Sequence, residues 1–96
     1  MFIYVIGPET GPQKIGISGD VNARLRNLQT GHPSKLFIHH IEEVKPKNVR
    51  LLEKKIHREL NHKKLKGEWF DLSAKEATEF LTYFVIRFAD DPLLGI

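Results

Sequence analysis

Cysteine is absent from all 96 residues, which excludes disulfides and thiolate metal sites and suits a reducing compartment. Long apolar runs are missing as well. The apolar stretch Met1 to Ile6 has no basic segment ahead of it and runs into prolines and glycines. Neither a signal peptide nor a membrane span is expected from it, and the cytoplasm is the default location. There is no internal repeat, no low-complexity tract and no glycine loop of the phosphate-cradling kind. Acidic charge is scarce in one segment in particular. Lys45 to Lys66 carries nine Lys or Arg against Glu53 and Glu59, a balance of +7, and the remaining residues carry −4, which leaves the net +3. A local positive field of this kind attracts polyanions, nucleic acid foremost; a solubilising helix face is the plainer alternative. At this length the chain is expected to be a single domain over 1–96 with one modest core, so a partner protein is a plausible source of specificity.

The N-terminal third holds the most information. Phe2-Ile3-Tyr4-Val5-Ile6 and Lys14-Ile15-Gly16-Ile17-Ser18 read as two strands, joined by a loop rich in proline and glycine. Alternation along a strand puts Tyr4 on one face of the first and Lys14, Gly16 and Ser18 on one face of the second. Glycine inside a strand often marks a place where another group comes close. Any of Ser18, Gly19 and Asp20 can cap a helix from Val21 to Gln29, whose buried stripe is Val21, Leu25 and Leu28. On the helical wheel Arg24 falls about 60° from the centre of that stripe and Arg26 about 140° from it. Arg24 is therefore expected to lean over the sheet and Arg26 to face solvent.

Ile3-Tyr4, followed ten residues after the tyrosine by Lys14-Ile15-Gly16 and then by an arginine eight residues past that glycine, resembles the GIY-YIG endonucleases. Phe2 stands where the family name has glycine. Lys14 stands where it has tyrosine, as in a branch of small members with Lys-Ile-Gly.

Lys35 to Val44 reads as a third strand, in which the neighbours His39 and His40 point to opposite faces and do not make a metal pair. Asn48 is the expected cap of a helix to about Leu60, with Val49, Leu52, Ile56 and Leu60 as its apolar stripe. Glu53 intrudes beside that stripe with His57 one turn later, which calls for a cation, a metal or a helical ion pair. Ser73 and Glu76 form a capping box for a covering helix to Phe88. Gly67-Glu68-Trp69-Phe70 reads as a turn followed by packing residues, with Glu68 either near the site or, as the plainer alternative, an exposed acid at a strand end. The fold expected is a small α/β sandwich: a three-stranded, mostly antiparallel sheet (β-hairpin, helix, strand, helix, helix) flanked by helices.

The resemblance implies the same layout and a metal-dependent endonuclease that hydrolyses phosphodiester bonds in nucleic acid, DNA in the first instance. The family's metal-binding glutamate falls on Glu53, which would hold one Mg²⁺ or Mn²⁺. Tyr4 would activate water, Arg24 would bind the scissile phosphate, and His57 is the next candidate base. Lys14 has two open roles, to favour the Tyr4 phenolate or to bind a phosphate. Gly16, Lys54, Lys55, Lys63 and Lys64 are the expected nucleic-acid contacts. The competing readings are a nucleic-acid-binding domain without cleavage and a protein-interaction module on the same scaffold.

Overall fold

Strands β1 (Phe2–Gly7) and β2 (Gln13–Ser18) pair antiparallel, with Tyr4 opposite Gly16 and Ile6 opposite Lys14. In the computed structural model, which describes residues 1–94, they are followed by α1 (Val21–Thr30), β3 (Phe37–Glu43) and α2 (Pro46–Glu59). A 3₁₀ turn (Asn61–Lys63), β4 (Trp69–Phe70) and α3 (Ala74–Phe88) complete the order. The strands lie in the order β3-β1-β2-β4 and every pairing is antiparallel.

The sheet thus has four strands where the sequence predicts three. β4 pairs with β2 only at Gln13–Phe70 and Lys14–Trp69, and two residues carry no readable period. It forms because Phe70 is fully buried and the Leu65 N–H donates to the Trp69 carbonyl at 2.9 Å, folding the basic connection back on the strand.

β1 is central and covered on both sides, which is why its sequence is continuously apolar. Ile3 and Val5 share one core with Ile15, with Leu52 and Ile56 of α2, and with Leu81 and Phe84 of α3. Tyr4 and Ile6 face the opposite way, toward Val21 and Leu25 of α1 and toward Trp69. The helices therefore sit on two faces of the sheet, α1 alone on one.

The caps explain the helix boundaries. Asp20 accepts from the Ala23 N–H at 3.0 Å to start α1. α2 begins before Asn48, because Pro46 takes the first helical position, where a missing N–H costs nothing. Asn48 instead donates to the Ala89 carbonyl at 2.9 Å and ties α2 to the end of α3. The Ser73–Glu76 capping box is formed as expected, and its hydrogen bonds hold the Glu76 carboxyl below its usual pKa. In β3 the register shifts so that His40 opposes Val5 and Ile38 opposes Ile6, leaving His39 as an extra residue. His39 Nε2 donates to the carbonyls of Gly7 and Pro8, while His40 Nε2 lies 2.7 Å from Glu42 and 3.2 Å from the Thr82 hydroxyl.

Candidate active site

Gly16 is where the site begins. The Tyr4 side chain crosses it so closely that a Cβ at residue 16 would lie 2.5 Å from the phenol Oη and 2.8 Å from Cζ. The same carbon would lie 3.0 Å from Glu68 Oε1. The missing side chain is what lets a hydroxyl and a carboxylate meet above β2. Tyr4 is only 1% exposed, and burial pushes its phenol pKa up to about 12; Glu68 and Glu53 add to the rise, and Arg24 opposes it. Lys14 does not favour the phenolate here. Its Nζ pairs with Glu68 Oε1 at 3.2 Å and lies 5.8 Å from the centroid of the Trp69 ring.

The second half of the site is built on the open edge of β2. Because β4 stops at Lys14, the peptide groups of Ile15 are free for other partners. Its N–H donates to the Glu68 carbonyl at 3.1 Å, and its carbonyl accepts from His57 Nε2 at 2.8 Å. This bond orients the imidazole and leaves the lone pair of the neutral ring on Nδ1. Phe70 packs against the same ring, with centroids 5.1 Å apart.

Glu53 lies one turn before His57 on α2. Its Oε2 is buried without a hydrogen-bond partner among the described residues. Burial raises the Glu53 pKa first, Glu68 raises it further, and His57 and Arg50 pull it down. One donor atom from each of Glu53, His57 and Glu68 lies within 4.8 Å of the others. Among the described residues no other trio of such side chains comes so close. The set fits a small divalent cation: two hard oxygens, one imidazole nitrogen and a buried carboxylate oxygen without a hydrogen-bond partner that a cation would satisfy.

Arg24 and Arg50 line a cavity of about 360 Å³ together with Glu53, Glu68, Ser18 and Gly19. Arg26 lines a different cavity, with Leu25, Gln29 and Lys35. The structure therefore brings Tyr4, Gly16, Arg24, Glu53 and His57 into one region and adds Arg50 and Glu68 to them. Arg50 is one helical turn before Glu53, a spacing that was available in the sequence. Glu68 is half-buried at the site and not an exposed strand-end acid, a choice the sequence left open because its place depends on β4.

The expected basic contacts divide. Lys54, Lys63 and Lys64 are exposed. Lys55 is not directed at a ligand: its Nζ sits 4.8 Å over the Phe88 ring and packs α2 against α3. Arg50, Lys54 and Arg58, spaced i, i+4, i+8, instead make an exposed cationic row that starts at the cavity.

The family model described as the T5orf172 domain matches residues 1–85, from β1 into α3. No GIY-YIG model matches, and the family expected from Ile3-Tyr4 and Lys14-Ile15-Gly16 is corrected accordingly. Those short segments describe a hairpin and a close approach at glycine, which families besides the expected one also use. No curated protein and no solved structure matches the chain.

Proposed function

The chain belongs to the T5orf172 domain family, which is associated with nuclease-like and DNA-binding domains, and on that premise we propose that it is a cation-dependent phosphodiesterase acting on nucleic acid, DNA first. The observation that carries the reading is the unpartnered, buried Glu53 Oε2 in a cluster with His57 and Glu68. A divalent cation held there would supply Lewis-acid stabilisation of the charge that develops on phosphate oxygens.

The chain's own residues do the rest. Arg24 and Arg50 offer guanidinium donors to a phosphate in the cavity they line. Tyr4 is a phenol at neutral pH, and burial, which pushes its pKa from about 10 up to about 12, puts the phenolate further out of reach, so it donates a hydrogen bond that orients the attacking water instead of removing its proton. Lys14 holds Glu68 in place through the 3.2 Å ion pair. His57 is fixed by the Ile15 carbonyl, so its Nδ1 is presented in one orientation. The imidazole nitrogen in the donor set favours Mn²⁺ over Mg²⁺.

The test is incubation of labelled single-stranded, duplex and branched DNA with Mg²⁺, Mn²⁺ or a chelator. Cleavage should need the cation, run faster with Mn²⁺, and be lost in Glu53→Gln. Cutting in chelator, or full activity in Glu53→Gln, would remove the metal site from the function. Tight binding without cutting under every condition would make the protein a nucleic-acid-binding module.

A further inference from the structure

Beside the site lies a second cavity of about 390 Å³, walled by Pro8 and Pro12 of the β1–β2 loop, by His32 and Ser34, and by Leu65 and Trp69. His32 and Trp69 stack, with ring centroids 5.3 Å apart and planes 27° from parallel. Trp69 links this cavity to the carboxylate cluster. It follows Glu68 in the chain, and Lys14 lies over its ring while pairing with Glu68.

The walls are set in advance by hydrogen bonds. The fully buried Gln13 donates through Nε2 to the carbonyls of Pro8 and Gly11, both at 3.0 Å, and His39 holds the carbonyls of Gly7 and Pro8 from the other side. Gly11 has φ +114°, a backbone shape that favours glycine, so the loop bends where only glycine does so without strain. On the facing wall His32 Nδ1 lies 3.1 Å from the Ser34 backbone nitrogen and 3.3 Å from the Ser34 carbonyl oxygen, so the ring is tied to Ser34 in either tautomer and its Nε2 is left for other partners.

A flat aromatic pair opposite proline rings, with an imidazole edge nitrogen and a serine hydroxyl for edge contacts, matches an unpaired nucleobase. Every base has a π-face that stacks regardless of sequence. Charge supports the same occupant. Leu65 is carried within Lys63-Lys64-Leu65-Lys66, whose lysines are all exposed, and Lys14 stands between this cavity and the carboxylates. Phosphates on either side of a bound base would therefore meet cations.

We propose that this cavity takes one unstacked nucleobase of the strand whose phosphate occupies the Arg24–Arg50 cavity, so that the substrate is single-stranded or locally opened nucleic acid. The inference rests on the nucleic-acid reading above and names its substrate class. A base paired within a duplex cannot enter without leaving its stack.

Trp69 is the one tryptophan of the chain, so its emission, excited at the red edge of the band where the two tyrosines do not absorb, reports on the wall of this cavity. The protein is titrated in chelator, where nothing is cut, with an oligothymidylate, with an abasic strand of equal length and equal phosphate number, and with a duplex. The thymidylate should quench Trp69 and bind about tenfold tighter than the abasic strand. His32→Ala and Ser34→Phe, the latter filling the cavity from an exposed position, should each bring that ratio toward one with thermal unfolding unchanged. Equal affinity for both strands without quenching overturns the base subsite and leaves phosphate binding intact. Duplex binding as tight as the single strand, with equal quenching, overturns it also. Failure of every strand to bind at low salt overturns both this inference and the function it rests on.

Discussion

Gly16→Ala adds one methyl group at the point where Tyr4 and Glu68 approach β2 most closely. The new carbon would sit 2.5 Å from Oη, 2.8 Å from Cζ and 3.0 Å from Oε1, whereas carbon contacts settle at about 3.5–4.0 Å. The ring has to withdraw by about 1 Å, by the same contact distances. It has little room to do so, because Tyr4 is 1% exposed and packed with Ile6, Val21 and Leu36. Overpacking of this kind costs about 1–3 kcal/mol, and each kcal/mol lowers Tm by about 4–8 °C in a domain of this size. Displacement of a positioning group by about 1 Å costs about a hundredfold in rate. Urea unfolding and initial cleavage rates should therefore both fall, the rate by the larger factor. Gly31→Ala is the control, since nothing lies within 4 Å of a carbon added there. Adding Tyr4→Phe to Gly16→Ala removes the nearest atom and should restore part of the stability. Wild-type stability and rate in Gly16→Ala would refute the close approach and the site built on it.

The raised pKa of Glu53 has a definite sign in stability. The folded state holds that proton more tightly, so the group's contribution is fully present below its ordinary pKa of 4.5 and is lost as pH rises through the folded value. Cation-free urea midpoints should fall across that window, and Glu53→Gln should flatten the fall and be the more stable protein at neutral pH; identical pH profiles would refute this. Mn²⁺ should raise the Tm of the wild type and not that of Glu53→Gln. Arg24→Ala should lose about a hundredfold in cleavage rate and Arg26→Ala almost nothing, because only Arg24 lines the cavity with the carboxylates. Equal losses would place the phosphate elsewhere. Changing Arg50, Lys54 and Arg58 together to Gln should reduce the slope of log affinity against log salt by about two to three, whereas Lys55→Gln should leave it in place. An unchanged slope in the triple variant would make that row a solvated surface.

The hairpin, the three helices and the apolar stripes were legible because each is a local pattern several residues long. Asp20, Ser73 and Glu76 announce their helix starts in the same way. Glu53 stood out because a carboxylate beside Val49, Leu52 and Ile56 needs a partner, and the partner's type could be named without its position. Glu68 could be suspected but not placed, because what brings it to Glu53 is a two-residue strand held by long-range pairing with Gln13 and Lys14. Lys55 misled for a related reason. Composition registers its charge, but only the packing of α3 shows that Phe88 covers that side of α2. The family was misread from segments that specify a backbone shape more than a lineage.

The three side chains that cluster for a cation arrive at different times along the chain. Glu53 and His57 belong to one helix, but Glu68 comes later and is held in place by β4, which itself closes onto the second strand of the N-terminal hairpin. A nascent chain emerging from the ribosome, or one clipped in the exposed Lys63–Lys66 connection, possesses the helix without the third ligand and the cavity without its Trp69 wall. On the proposed reading, a cation would find its third ligand only once β4 has paired with β2, and a copy without that pairing would carry basic charge without a formed centre to act on what that charge attracts.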